Sequence, residues 1–463
     1  MGLVGGTPAQ VKTDHVQKEN GLMAVSARDQ ALSVTEVTPA SGPPVRRMLA
    51  LWLPLAISQL MMVLEPTIIN IGLGRTVGPE LALAAYGVAF SLALLVEAPV
   101  LMVLDASVAR SSDRAAFRLI ERFSLGLGLA VLAIGLIVSA TPLYSVIVEG
   151  LMRIPADVAA RARPTLQILS FWPLPIGWRR AQQGLLIRTG RTLAISTATI
   201  VRLVTLAAAL ATGLVLFPRG GAAVAGWAMN LSVTVEAALV TWAARRALRA
   251  GGVSDEGSSL SGRDLWRFYR PLAMTSIIQQ AARPVLNAGI AAAVLGVESL
   301  AAWPVTWSLV ILIAGPGWSL QQLTNALAVD EAAYRRVRWF SLALSGAFAL
   351  LLGLVAVTPL YGVVMGGVYN LSPELQALAR PGVALMILFP VLLGMQGVLR
   401  GVRIRRGCTT AVRSGVVVNV VVLVATIVVG VTLIGPTGVA LAAVANQTSI
   451  LAELAWLRWK AQC

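Results

Sequence analysis

Gln279, Arg283 and Asn287 recur at every fourth position inside an otherwise apolar stretch. At about 100° per residue they share one stripe of a helix, a stripe suited to facing a cleft. A planar, permanently charged guanidinium between two amides is a donor set for a carboxylate or a phosphate. Gln59, Glu65 and Asn70 form a second polar set in the first apolar stretch, and Arg179 and Arg202 add guanidinium groups in two more. Snorkelling to the membrane interface is the competing account for at least one of Arg179 and Arg180, but it suits Arg202 poorly because that residue lies well inside its stretch. The embedded acids are Glu65, Glu97, Asp105, Glu236 and Glu453. Glu65, Glu97 and Glu236 are candidates for carrying a coupling proton. Glu236 and Glu453 fit a symmetrical structural role better, neutralising nearby arginines. Glu65 and Arg283 are also expected to pair across the molecule when the site is empty.

These groups demand elements that keep them out of lipid. Of the 463 residues, 57% are hydrophobic and 13% charged, so most of the chain must lie in a solvent where apolar exposure is cheap. Twelve stretches are long enough to cross about 30 Å of hydrocarbon. Their limits are residues 48–73, 81–106, 117–148, 160–186, 191–217, 221–245, 266–292, 298–325, 337–366, 375–402, 409–434 and 437–460. A charge inside them costs at least about 2.5 kcal/mol, so the polar groups should face the protein interior or a water-filled cavity. Pro66 and Pro284 remove backbone donors and should bend the first and seventh helices near mid-membrane.

The net charge of +16 comes from Lys and Arg clustered between the stretches, which argues for orientation in a bilayer rather than for nucleic acid. About 29 of the 37 basic residues fall on one side, predicting that both termini are cytosolic in a cell (inner) membrane. Residues 1–45 read as a disordered cytosolic tail and the Gly/Ser-rich residues 251–264 as a linker. One histidine, His15, and two cysteines, Cys408 and Cys463, leave no material for a zinc site, a disulfide framework or His-based catalysis, so no metal and no cofactor are expected.

Self-similarity at an offset of 217 residues divides the rest. Thr141-Pro142-Leu143-Tyr144 returns as Thr358-Pro359-Leu360-Tyr361, Arg163-Pro164 as Arg380-Pro381, Asn70 as Asn287 and Glu236 as Glu453. Pro173, Gly177, Gly184, Arg188 and Gly190 match Pro390, Gly394, Gly401, Arg405 and Gly407. The expected fold is all-α transmembrane, twelve helices in two parallel six-helix lobes, residues 46–250 and 265–463. An even number of spans per repeat gives both lobes the same orientation, and a cleft between them suits alternating access.

Three segments resemble the multidrug/oligosaccharidyl-lipid/polysaccharide exporter (MATE-like) superfamily and, within it, the progressive ankylosis protein family. They are residues 85–92 (Ala-Tyr-Gly-Val-Ala-Phe-Ser-Leu), residues 279–287 (Gln-Gln-Ala-Ala-Arg-Pro-Val-Leu-Asn) and residues 184–188 (Gly-Leu-Leu-Ile-Arg). The resemblance implies an exporter of organic or inorganic anions such as citrate, nucleotides or pyrophosphate. It further implies that polar residues of spans 1 and 7 line the route: Gln279, Arg283 and Asn287, and by repeat Gln59, Glu65 and Asn70. Span 1 has no aspartate of the kind typical of cation-coupled drug exporters, which weighs against that branch. The expected protein is therefore a monomeric, non-enzymatic secondary transporter for a small anionic solute. A lipid-linked glycan flippase or a multidrug exporter is the alternative within transport, and a membrane-embedded enzyme or a scaffold the alternative outside it. Against an enzyme, the chain has no HExxH, Asp-rich diphosphate motif, Gly-x-Ser-x-Gly or glycine-rich phosphate loop.

Overall fold

The computed structural model describes residues 42–251 and 260–460. The sequence expectations for a tail and for most of the interlobe linker fall outside the described residues. Twelve helical spans make an integral, multi-pass membrane fold of two six-helix lobes. Spans 1 to 6 are Val45–Leu73, Pro79–Arg110, Arg114–Ala140, an interrupted span of Ala156–Leu169 and Pro173–Arg188, Thr192–Leu216 and Gly221–Arg249. Spans 7 to 12 are Gly262–Ala292, Gly296–Leu327, Glu331–Val357, Pro373–Arg405, Thr409–Val429 with its π-helical end Gly430–Ile434, and Gly438–Trp459.

Among the described residues, ten of these spans are long and apolar enough to cross a membrane on length and composition alone. The other two are spans 4 and 7, the first broken at Ser170–Trp172 and the second carrying Gln279, Gln280 and Arg283. Lipid cannot tolerate such helices on all faces, so both depend on protein around them. Spans 3 and 9 end earlier than hydropathy predicts, because Thr141-Pro142 and Thr358-Pro359 stop the helix and short π-helical turns, Val146–Leu151 and Val363–Val368, carry the remaining apolar residues. Span 1 runs through Pro54 and Pro66, and span 7 through Pro271 and Pro284, each as a continuous α-helix.

The 217-residue repeat holds in three dimensions. Asp113 caps span 3 by accepting from the Ala115 and Ala116 amides at 2.9 Å, and Asp330 caps span 9 by accepting from Ala333 at 2.7 Å. Tyr144 donates to the Ala159 carbonyl with Arg163 over its ring, and Tyr361 donates to Gln376 with Arg380 over its ring. Burial pushes both phenols above their ordinary range, so each stays a neutral donor. Arg153 and Asn370, 217 apart, both adopt left-handed backbone at φ 53° and 57°.

The two even-span repeats place both described ends of the chain on one face, called here the terminal face; the opposite face is distal. In the distal half a single apolar core unites the lobes, running from Ile69, Leu83 and Tyr86 to Leu286, Leu300 and Val305. Near the terminal face it splits into separate clusters. Two of these are repeat images: Met48, Trp52 and Ala56 of span 1 pack on Leu320, Leu323 and Val337, while Leu265, Tyr269 and Ala273 of span 7 pack on Val103, Ala106 and Ile120. Each first helix therefore leans its terminal-face half on the opposite repeat.

Candidate functional site

The lobe interface is built mainly from spans 1, 2, 7 and 8. In the distal half it is closed by hydrogen bonds that obey the repeat. Asn70 Nδ2 of span 1 donates to the Pro304 carbonyl of span 8 at 2.9 Å, and Asn287 Nδ2 of span 7 donates to the Gly87 carbonyl of span 2 at 3.1 Å. Asn370 reaches the Gly74 carbonyl at 2.8 Å, and Ser372 reaches Glu80 at 3.2 Å. A Cβ at Gly74 would lie 1.9 Å from the Tyr369 carbonyl oxygen, so a residue with any side chain would force the distal ends apart. Toward the terminal face Tyr269 donates to the Pro99 carbonyl, and the Arg110 guanidinium of span 2 lies 4.6 Å from the centre of the Phe268 ring of span 7.

Asn287 places the span 7 stripe. Since its amide reaches span 2, Arg283 and Gln279, one and two turns earlier, run along the same side toward the terminal face. Both are exposed, one and two turns from Asn287, which is buried at the lobe interface, a placement that fits the wall of a cleft between the lobes. Among the described residues Arg283 has no hydrogen bond or ion pair. Gln59 of span 1 is half-buried. The expected Glu65–Arg283 pair is not formed: Glu65 Oε2 lies 2.9 Å from Arg202 Nη1 of span 5. Register explains this. Arg283 corresponds to Pro66, not to Glu65, and one residue turns a helical side chain by about 100°, which aims Glu65 into its own lobe.

That lobe holds a buried clamp. Glu236 of span 6, fully buried, accepts from Arg179 and more weakly from Gln183 at 3.4 Å, both on span 4, and from Thr199 at 3.0 Å on span 5. Arg202 Nε stands 3.1 Å from the same carboxylate, so Arg202 bridges Glu236 and Glu65. Arg179 is thus a buried partner of Glu236 rather than a snorkelling interface residue, while Arg180 remains half-buried beside it. Glu97 is buried in span 2 near both. Deeper toward the terminal face, Glu121 accepts from Gln182 at 2.7 Å and Arg245 at 3.0 Å.

Sequence reasoning missed the matching clamp in the second lobe. Glu453, fully buried in span 12, accepts from Gln396 at 2.7 Å and Arg400 at 2.6 Å on span 10 and from Asn419 at 3.1 Å on span 11. The signal was available, because adding 217 to Arg179, Gln183, Arg202 and Glu236 gives Gln396, Arg400, Asn419 and Glu453. A hollow of about 530 Å³ at the distal ends of spans 9 and 10 is remote from these groups, and its Tyr361, Gln376 and Arg380 belong to the structural corner described above. Among the described residues no cluster of His, Cys, Asp and Glu could hold a metal ion.

The family model described as Progressive ankylosis protein (ANKH) matches residues 256–436. No curated protein sequence matches the chain. Solved structures agree on the fold across nearly the whole length. An inward-facing multidrug resistance MATE family transporter of the MOP superfamily superposes with TM-score 0.68 at 16% identity, covering 88% of this chain and 97% of that one. The outward-facing form of such a transporter gives 0.61 at 15% identity, covering 92% and 98%. A MOP superfamily transporter from Pyrococcus furiosus, described as having a binding pocket of reverse polarity, also gives 0.61 at 15% identity over 92% and 98%.

Proposed function

We propose that the chain is a secondary transporter that moves a small anionic solute by alternating access, with its terminal face in the cytosol. The carrying observation is Arg283, an exposed guanidinium deep in a membrane span, one turn from the interface residue Asn287 and without a partner among the described residues. A cation in that setting gains most from an anionic ligand. Gln279, on the same stripe, would orient the ligand, and Gln59 of span 1, half-buried, would join it as the lobes rock. Asn70 and Asn287, whose amides hold the distal half shut, act in this reading as gate residues that the solute meets when the lobes rock. Arg179 and Arg202 set the positive field of the first lobe through the clamp instead of contacting solute directly.

The fold supports rocking, since it superposes on inward- and outward-facing relatives, and the closed distal core with divided terminal-face clusters matches an inward-facing state. The Pyrococcus furiosus transporter, whose pocket of reverse polarity is described as suggesting a different function, supports a reading in which this fold serves more than one kind of solute. Glu65 and Glu236 argue the same way, because both acids are already bound to arginine. The test is flux of citrate, ATP and pyrophosphate in proteoliposomes. At least one should be carried by the native chain and lost with Arg283→Ala; flux of all three untouched by that change would overturn the site, and no flux of any would overturn the anion reading.

A further inference from the structure

The clamp leaves two charged side chains over. Glu97 of span 2 is 1% exposed, and neither of its carboxyl oxygens has a hydrogen-bond partner among the described residues. Arg180 of span 4 is half-buried, also lacks a hydrogen bond or ion pair among the described residues, and is the foremost charged neighbour of Glu97. The other charged groups facing Glu97 are Arg179 of span 4, Glu65 of span 1 and Arg202 of span 5. Arg180 further faces Glu236 of span 6 and Asp105 on the terminal-face end of span 2. No titratable group of spans 3, 7 or 8, which also pack on span 2, acts on Glu97 among the described residues.

Three arginines and three glutamates thus share this region, and two of each are in contact. The remaining pair stand within each other's field but not in contact. A buried carboxylate without a donor and a guanidinium without an acceptor are both costly. Two arrangements relieve them. Glu97 can close on Arg180 as an ion pair, or Glu97 can take a proton while a solute anion takes Arg180. The two exclude each other, because Arg180 has one positive charge to neutralise.

We propose that Glu97 and Arg180 are the coupling pair of the transport cycle, so that a proton enters Glu97 as an anion binds Arg180, and leaves as the carboxylate reclaims Arg180 and expels the anion. The charges balance: one proton from cleft water neutralises the Glu97 carboxylate, and one anionic charge replaces it opposite the guanidinium. The inference rests on the anion-transport reading and adds to it a second anion contact, on the first lobe, and the co-movement of a proton.

The test uses the full chain in liposomes with pyrophosphate and citrate as probes. In the native protein an inward pH gradient should drive accumulation of a probe, and Glu97→Gln should lower that accumulation at least about tenfold while anion-for-anion exchange persists. Infrared difference spectra should show a protonated-carboxyl band gained on adding the probe at constant pH. That band should be absent from Glu97→Gln; in Arg180→Gln it should be present beforehand and indifferent to the probe. Gradient-driven accumulation by Glu97→Gln equal to the native level, or a band unmoved by the probe, overturns the proposal. If neither probe binds or moves in the native protein, the anion reading fails separately, and the pair is decided by proton titration alone. A carboxyl band that fades with rising pH and is missing from Glu97→Gln supports it; no such band overturns it. Should Glu97→Gln fail to fold, the Arg180→Gln spectrum decides the same question.

Discussion

The two lobes hold an equivalent glutamate with equivalent helices but with different donors. In the first, Glu236 faces Arg179 and Arg202, and Arg202 is shared with Glu65. In the second, Glu453 faces a single guanidinium, Arg400, and two amides, Gln396 and Asn419. The geometry of spans 4, 5 and 6 is therefore shared where its charge is not: both lobes hold a place for a buried carboxylate, but two guanidinium groups reach it in the first and one in the second. Glu65, Glu97 and Arg180 have Ala282, Ala314 and Gly397 as their counterparts, so the surplus chemistry also lies on one side. What the second lobe adds instead is Arg283, exposed on span 7.

The comparison breaks most visibly at the glutamates. Glu236→Gln strips the acceptor from two buried guanidinium groups and should destabilise the purified protein by about 3–5 kcal/mol. Glu453→Gln, which leaves one partly exposed arginine, should cost about 1–3 kcal/mol. Thermal unfolding at a common scan rate should therefore rank Glu236→Gln well below Glu453→Gln, and equal losses would mean that the extra cation makes no difference. Next in size is Arg179→Gln, expected to cost about 1–3 kcal/mol, with partial recovery when Gln183→Arg is added, because the pair then reproduces the Gln396 and Arg400 arrangement. No recovery in the double variant would show that the lobes are not interchangeable in detail.

Arg283→Ala removes no hydrogen bond or ion pair among the described residues, so stability should stay within about 0.5 kcal/mol while anion flux falls at least about tenfold, equivalent to roughly 1.4 kcal/mol. A parallel fall in unfolding temperature would return Arg283 to a packing role. The smallest effects belong to the cross-lobe amides. Asn70→Ala and Asn287→Ala each delete one neutral hydrogen bond, about 1 kcal/mol, and by symmetry should shift the lobes equally toward distal opening. Spin labels at Val77→Cys and Leu360→Cys would read that shift as longer distances, and unequal responses would show that one repeat dominates the gate.

Hydropathy and the 217-residue offset made the twelve spans and the two lobes legible, because both are properties of the local sequence. A helix either suits lipid over about 20 residues or does not, and that test needs no neighbours. The same offset maps Asn70 onto Asn287, whose amides do make equivalent contacts. It also maps the first clamp onto Gln396, Arg400 and Asn419, but two of these are amides, which carry no strong signal in apolar stretches, and Arg400 lies close to the basic terminal-face end of its span. The Glu65–Arg283 pairing failed for a related reason. Both residues are near mid-span in equivalent helices, but pairing depends on azimuth, and a one-residue difference in register turned Glu65 toward Arg202.

From its sequence alone this chain was bound to be a helical, duplicated membrane protein with more buried charge than a bundle needs for packing. Which charges meet was decided only by tertiary structure. Hydrophobic length is a sum over a segment and survives any arrangement of neighbours, whereas an ion pair requires two side chains within about 4 Å, set by how each helix is rotated and against which lobe it leans. The exchange of the first helices across the interface, with Trp52 on Leu323 and Tyr269 on Ala106, is such a decision. It leaves Arg283 exposed and without an ion pair among the described residues, and Arg179, Arg202, Glu65 and Glu236 closed within one lobe.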